Sequence, residues 1–387
     1  MRIVSVNVHY QDKLGYQDYY LGKAWKKMGH EVHFISSDVH FDFPDYDNTI
    51  KHIIGEKYVG LGLYLNDYGV PVHRLKGTSK KRTGFIWLKG FKEKVFELKP
   101  DILVLHGILS YQTMRATFWA SKLNCRIIVD DHTTSFLLGK DMKRRLLYSV
   151  FRRLFATRIE KMSEKVIGVS TTIVDVIKDH FGIHGPKVQM IPLGADVDLF
   201  HKSAEVRNEG RKLVEALPNE LVVLYTGKMY EDKKVHLIID ALNDDTITID
   251  KSIVIVLVGN ASASYKLILD KSISKSKWRV EQISTVPQEK LPLFYNAADI
   301  AVWPGSLTTS TIDASACGCP IIISNQMPER TKYENGFMIE DGNLEQLKEA
   351  LLKLLHSPIL RREMGDNGVR YVESELSWHI IAKKFIA

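Results

Sequence analysis

The sequence predicts an α/β protein of two domains, each built on a mainly parallel sheet. Three observations carry that reading. Apolar runs of strand length alternate with amphipathic stretches of helix length along the whole chain. The length of 387 residues exceeds what one hydrophobic core commonly serves. A Pro192-Leu193-Gly194-Ala195 break falls at mid-chain, and the formal charge changes sign across it. Residues 1–190 hold 30 of the 53 basic and 19 of the 46 acidic side chains, so a basic half precedes a mildly acidic one. An anionic membrane, a nucleic acid or an acidic small molecule would each suit the basic half.

Composition narrows the class. Hydrophobic content of 45% and charged content of 26% are those of a soluble globular protein. Cys125, Cys317 and Cys319 cannot make a disulfide framework and lack zinc-site spacing, which points to a reducing, cytosolic compartment. The opening MRIVSVNVHY reads as a strand and not as a signal peptide. The longest apolar run, Ile253 to Val258, is too short to cross a bilayer. No solenoid repeat or low-complexity segment is found.

In the first half, Arg2 to Val8 reads as a buried strand. Gly15 to Asp18 is a turn, a helix runs to Met28, and Glu31 to Ile35 is the next strand. This βαβ opening lacks a G-x-G-x-x-G, and the near-match at Gly60-Leu61-Gly62 has Leu65 where the third glycine belongs. Residues 40–70 show no period. Lys80 to Pro100 is a basic amphipathic stretch whose apolar face reads as core. Asp101 to His106 is a strand, a helix runs to Leu123, and Arg126 to Asp131 is a strand ending in Asp130-Asp131-His132-Thr133-Thr134. His132 sits where a parallel sheet meets ligand, or caps the next helix. Asp130 and Asp131 would alternate faces, which argues against a metal pair.

Asp141 to Lys165 carries a helical stripe of Leu146, Leu147, Val150, Phe151, Leu154 and Phe155 among Lys143, Arg144, Arg145, Arg152 and Arg153. It is either a core helix with a solvated basic back or a face that sits on anionic lipid. A strand at Lys165 to Val169, a helix at Thr171 to Phe181 and a strand at Lys187 to Ile191 complete the half.

In the second half, Asp196 and Asp198 spell D-x-D and read as turn chemistry. Glu220 to Thr226 is a strand with a tight exit at Gly227, followed by Lys228, Lys233 and Lys234 at the start of a helix. Lysines there oppose the helix dipole, which fits an anion or merely solvated side chains. Ser252 to Val258 and Arg279 to Ile283 are strands, with a helix between them and a short helix after. The stretch Asp299 to Ser324 then runs strand, polar loop, helix, strand. Thr308, Thr309 and Ser310 suit a helix N-cap, and Asp313 is the one carboxylate between Asp299 and Glu329. The unit is a phosphate-binding helix start at the carboxyl edge of a sheet, or a plain crossover. A short strand after Asn335-Gly336 and helices at Leu344 to Leu355, Ile359 to Glu373 and Trp378 to the end close the chain.

Taken together, several segments resemble the retaining glycosyltransferases of family 4. They are LGYQDYYLGKAWKKMGHEV, KVIGVSTTIVDVIKDHFGI, KVQMIPLGADVDLF, TGKMYEDKKVHLIIDAL, VPQEKLPLFYNAADIAVWPG, DASACGCPIII and NGFMIEDGNLEQLKEAL, with the closing SWHIIAKKF. The resemblance spans nearly the whole chain. It implies the GT-B fold: two Rossmann-like parallel-sheet domains, 1–192 and 193–372, facing across a cleft. Residues 373–387 would form a helix returning to the first.

The resemblance also implies residue roles. Lys233 falls on the family's donor-phosphate lysine, Lys228 on its motif arginine, and His132 on the histidine near the transferred sugar. Gly15 falls on the glycine loop beside the diphosphate. Gly227, Thr285 and Val286 line the donor side, the last two through backbone contacts to the base. Asp313 falls on the second glutamate of E-x7-E, which binds ribose. Gly305 stands at the first glutamate, Lys234 at the loop glycine, and Thr308, Thr309 and Ser310 at the glycine-rich turn. Lysine for arginine exchanges a planar fork for a point charge.

The implied activity is transfer of a sugar from a nucleotide-diphosphate donor to a glycan, with retention. A UDP-sugar is expected ahead of a GDP-sugar, and the acceptor would be lipid-linked or a cell-envelope polysaccharide. No metal or other cofactor is expected, because two lysines meet the leaving diphosphate. The location would be cytoplasmic, at the inner face of an anionic membrane. No nucleic-acid partner is expected, since no recognised module is present. A weak or inactive GT-B partner subunit and a sugar-nucleotide epimerase are the alternatives.

Overall fold

The structure is a computed structural model, and its description covers residues 1–43, 46–79, 85–133, 142–245, 247–306 and 308–387. The chain divides into two compact units, one of Met1–Leu193 with Trp378–Ala387, the other of Gly194–Ser377. The return to the first unit thus begins at Trp378, a few residues later than the sequence reading places it.

The first unit holds an eight-stranded sheet. Its strands are β1 (Arg2–Val6), β2 (Glu31–Ser37), β3 (Gly62–Leu65), β4 (Pro71–Leu75), β7 (Ile102–His106), β8 (Arg126–Asp131), β9 (Lys165–Gly168) and β10 (Val188–Met190). A separate hairpin pairs β5 (Gly77–Ser79) with β6 (Ile86–Leu88). The sheet order is β10-β9-β8-β7-β1-β2-β4-β3, parallel throughout except at the β3 edge. Val4, Leu103, Leu105, Val129 and Val166 are buried against Val95, Ile159, Ile173 and Ile177 of the helices, which covers the sheet as a parallel sheet requires. The closing helix, Trp378–Ile386, packs on Gln17–Lys27. Trp25 Nε1 donates to the Ala382 carbonyl at 3.0 Å, and Tyr20 stacks on Trp378 with ring centroids 5.4 Å apart.

The second unit holds a six-stranded, all-parallel sheet. Its strands are β11 (Leu221–Thr226), β12 (Ile253–Val258), β13 (Arg279–Ile283), β14 (Ile300–Trp303), β15 (Ile321–Ser324) and β16 (Gly336–Ile339). The order β13-β12-β11-β14-β15-β16 reverses direction at β11, the kind of switch point where an open α/β sheet takes ligand at its carboxyl edge. Every residue of β11, β12, β14 and β15 is buried, which is why these runs are apolar without alternation.

Several local readings need correction. The unpatterned 40–70 region contains short helices at Tyr46–Thr49 and Lys51–Ile54 and the edge strand β3. The amphipathic 80–100 stretch is a strand followed by a two-turn helix, Phe91–Leu98; its apolar face is core, through Leu88, Phe91, Val95 and Leu98. Lys80, Lys81 and Arg82 lie outside the described residues. The basic helix, Met142–Phe151 continuing to Met162, is interrupted by a π-turn at Arg152–Ala156. Its stripe divides: Phe151 is buried and Phe155 packs on the core, but Leu146, Leu147, Val150 and Leu154 are 66, 41, 47 and 52% exposed. Among the described residues no helix is long and apolar enough to cross a membrane.

Candidate functional site

The carboxyl edge of the second sheet gathers most of the candidate donor residues. Gly227 follows β11, Gly259 follows β12, Thr285 and Val286 follow β13, and Gly305 follows β14. Strand order therefore sets these loops side by side. Gly227 has φ +131° and Gly259 φ +134°, and a Cβ on Gly259 would lie 2.1 Å from the Gly227 carbonyl oxygen. Only glycine lets these two backbones touch. Thr285 N donates to Asn260 Oδ1 at 3.2 Å, which ties the β13 exit to the same edge.

The loop after Gly227 carries the lysines. Lys228 is exposed, and its carbonyl accepts from Tyr225 Oη at 2.9 Å. A 3-10 turn, Glu231–Lys233, follows, and Lys234 takes a left-handed conformation with φ +52° before the helix begins at His236. Lys234 thus adopts the backbone geometry that a glycine at its position would supply. Its Nζ donates to the Asp341 carbonyl, in the loop that follows β16. Lys233 is half-buried, and its Nζ donates to the Ser306 carbonyl at 3.1 Å. Burial pushes the ammonium pKa of Lys233 down; Asp232 opposes that shift and Lys228 adds to it.

Gly305 is where the two loops interlock. A Cβ there would lie 2.2 Å from the Asp232 carbonyl oxygen and 2.7 Å from the Lys233 carbonyl carbon. Ser306 N donates to that Asp232 oxygen at 2.8 Å, and Ser324 Oγ donates to the Gly305 carbonyl at 2.6 Å. The missing glutamate is therefore a rebuilt contact, with the backbone that carries Lys233 filling the space a side chain would need.

The polar turn that follows is not a side-chain cap. Thr309 has helical φ and ψ and makes no cap hydrogen bond, and the helix Ser310–Ala316 starts behind it. Thr308 Oγ1 is buried and has no hydrogen-bond partner among the described residues. Asp313 lies on that helix, 7% exposed. Burial, with Asp196 adding, raises its carboxyl to about 8 against the pull of Arg330. Arg330 is itself buried and donates to Thr311 Oγ1 at 2.8 Å. Sequence reasoning missed Arg330, because nothing in its polar surroundings marks it as buried. Asp196 is turn chemistry as read, its Oδ1 accepting from Asp198 N at 3.2 Å.

The other candidates lie in the first unit. Gly15, φ +58°, turns the chain into the Gln17–Lys27 helix. Gln17 Nε2 then donates to Asp130 Oδ2 at 3.0 Å, so the glycine loop and the β8 exit share one sheet edge. His132 is exposed there, with Nε2 3.4 Å from Asp130 Oδ2. Asp130 and Asp131 have separate partners. His106 approaches Asp130, while Asp131 accepts from Ile108 N at 2.8 Å and Thr133 N at 2.6 Å. Among the described residues, His106, Asp130 and His132 form the one cluster with metal-ligand composition. Asp130 Oδ2 accepts from the Gln17 amide and faces the His106 ring, while its buried Oδ1 makes no hydrogen bond among the described residues. His106 was missed, although it ends β7 as His132 follows β8. Thr134, in the same run, lies outside the described residues.

Two outcomes follow. Gly305→Ala is expected to cost about 1–3 kcal/mol by overpacking, read by urea unfolding, because the Asp232 carbonyl cannot withdraw without releasing Ser306. Asp313 has a raised carboxyl pKa in the fold, so its protonated form is favoured there. Stability from this group should be greatest below its ordinary 3.8 and be lost as pH rises to about 8. Asp313→Asn should remove that loss, and unfolding at pH 5 and pH 8.5 measures it.

Two family models match the chain. Residues 19–199 match Glycosyltransferase Family 4, and residues 206–370 match Glycosyl transferases group 1. The capsular polysaccharide biosynthesis glycosyltransferase CapM of Staphylococcus aureus is 25% identical over 368 residues, 92% of this chain and 88% of CapM. A GDP-mannose-dependent monoacylated alpha-(1-6)-phosphatidylinositol monomannoside mannosyltransferase of Corynebacterium glutamicum is 26% identical over 220 residues, 54% of this chain and 57% of that one. The structure of Anabaena HepE in complex with UDP superposes with a TM-score of 0.72 at 14% identity, covering 100% of this chain and 98% of that one. With two parallel-sheet units and both family models in place, the chain belongs to the family 4, group 1 glycosyltransferases of GT-B fold.

Proposed function

We propose that this glycosyltransferase moves a sugar from a nucleoside-diphosphate donor to a glycan acceptor with retention of configuration. The observation that carries the donor reading is the interlock at Gly305. It seats Lys233 against the Ser306 carbonyl, on the loop that also carries Lys228. Cleavage of a sugar–diphosphate bond develops negative charge on the leaving diphosphate. Cations and donors fixed in advance stabilise that charge without reorganising. Lys228 and Lys233 supply two positive charges, so the reaction needs no divalent metal. Asp313 would take the ribose hydroxyls, and Thr285 and Val286 would meet the base through their backbone. Gly15 would let its loop approach the diphosphate, and His132 would orient the sugar. HepE has been crystallised with UDP and with UDP-glucose, which favours a UDP-sugar; the GDP-mannose dependence of the Corynebacterium enzyme keeps a GDP-sugar in view.

The acceptor is proposed to be a lipid-linked or cell-envelope glycan, reached at an anionic membrane on its cytoplasmic face. CapM acts in capsular polysaccharide biosynthesis and the Corynebacterium enzyme on a phosphatidylinositol mannoside, and both names favour that class. On this chain the supporting observation is the exposed stripe of Leu146, Val150 and Leu154, at helical spacing, flanked by exposed Arg145, Arg152 and Arg153. Apolar side chains with basic neighbours suit shallow insertion beside anionic headgroups.

Lys233→Ala should lower kcat/KM at least a hundredfold, in line with about 3–4 kcal/mol for one lost charge-stabilising group. The assay follows a thermal-shift panel of UDP, GDP, ADP and CMP and their sugar conjugates, with and without Mg²⁺. A true donor at about 100 times Kd adds roughly 2.7 kcal/mol of stability. A hit that needs Mg²⁺ would overturn the metal-free reading. For the membrane, Leu146→Ser with Leu154→Ser, or charge removal at Arg145 and Arg153, should abolish binding to phosphatidylglycerol vesicles. Unchanged binding would remove this face from the account.

A further inference from the structure

Asp130 ends its strand wholly buried, yet it is ringed by nitrogen atoms from three different segments. From β7, His106 Nδ1 lies 2.8 Å from Oδ1 and 3.0 Å from Oδ2. From the first helix, Gln17 Nε2 donates to Oδ2 at 3.0 Å. From its own loop, His132 Nε2 lies 3.4 Å from that same Oδ2. His106 Nε2 in turn lies 2.9 Å from Ser5 Oγ on β1. Asp18 stands behind the group, accepting from Asn7 Nδ2 at 2.8 Å.

An ionised carboxylate only accepts hydrogen bonds, so each nitrogen facing it must carry a proton. That decides both rings. His106 presents Nδ1–H to Asp130, and His132 presents Nε2–H. The His132 ring is then left with Nδ1 as the atom available to a ligand. In the neutral ring that atom accepts a hydrogen bond, and a sugar hydroxyl is the donor that suits it.

We propose, resting on the reading of His132 as the histidine beside the transferred sugar, that Asp130 is the positioning residue for that ring. His106 is the buried counter-ion that keeps Asp130 ionised. The electrostatics agree. Burial disfavours charge on His106, but Asp130 and Asp18 outweigh it and raise its pKa. Burial likewise works against the Asp130 charge, but His106 and then His132 hold the carboxyl well below the usual carboxylate range. Asp18, pushed up chiefly by burial, is pulled back by His106. A buried carboxylate faced by the His106 Nδ1–H, the Gln17 amide and the His132 ring is a fixed acceptor, and a fixed acceptor fixes the ring. Asp130 touches no substrate in this scheme and acts through His132.

The tautomer of His132 is the direct test. In ¹⁵N-histidine-labelled protein, with the His132 signals assigned by their loss in His132→Ala, the ring should be the Nε2–H form. An Nδ1–H ring would overturn the proposal. Asp130→Asn should lose that preference and lower kcat for nucleotide release from UDP-glucose or GDP-mannose about a hundredfold, the upper range for loss of a group that orients a functional histidine. Donor KM should stay unchanged. His132→Ala should lose as much, and Asp130→Asn added to it should cost nothing further. Multiplying losses would show that Asp130 does not act through His132 and would overturn the proposal. Full activity in His132→Ala would instead overturn the reading of His132 itself. If Asp130→Asn does not fold, the wild-type tautomer alone decides.

Discussion

The close approach of the Asp232–Lys233 backbone to the Cα of Gly305 is the contact on which the donor edge depends. Lys233 reaches the Ser306 carbonyl because its own backbone lies where a side chain on residue 305 would be. Ser306 N and Ser324 Oγ then fix the two strands of that contact, one on each side of Gly305. Removing the glutamate and moving the lysine loop inward are thus one change. A carboxylate at 305 would also stand beside Lys233 and partly neutralise it. As it stands, Lys233 pairs with Asp232 at 3.9 Å and with the Ser306 carbonyl.

The first unit solves a different electrostatic problem. Its sheet edge buries three carboxylates, Asp18, Asp130 and Asp131, with one imidazole, His106, among them. Isolated charges there would be costly. The cost is offset because the acids are not equivalent. Asp130 takes the His106 ring and is held ionised, while burial raises the pKa of Asp18 and Asp131. Backbone N–H groups from Ile108 and Thr133 hold Asp131 in place. Hydrogen bonds from the first helix and from β7 converge on one Asp130 oxygen, which stiffens this edge.

The fold was legible because apolar runs of strand length, such as Ile253 to Val258 and Ile300 to Trp303, have one stable use in a chain of this composition. The loops at the sheet edges were legible as positions: Gly227, Lys233, Gly305 and His132 all follow strands. What they touch was not. Nothing local to Gly305 says that Asp232 fills its missing side chain, since the two are far apart in sequence and meet only through strand order. Arg330 is hidden for the same reason. The helix at 142–162 stayed open between a core helix and an exposed face. A periodic apolar stripe is the pattern of a buried face, and periodicity alone does not tell a face that packs on protein from one left open. The short edge strand β3 escaped because three leucines at 61, 63 and 65 are exposed, which breaks the in-and-out alternation that marks a half-buried strand.

Net charge and site charge run opposite ways in the two units. The basic half carries its carboxylates at the sheet edge, and the acidic half carries Lys228 and Lys233 there. Averaging over a half of the chain therefore reports the wrong sign for its site. The reason is range. Screening limits charge effects to about 8 Å at physiological ionic strength, so a ligand at the edge feels the few groups around it. The excess positive charge of the first half lies elsewhere, with Arg145, Arg152 and Arg153 on the exposed helix, where it can act on an extended anionic surface but not on a sugar ring. A large, weakly specific field and a small, local site can then occupy one domain without interfering.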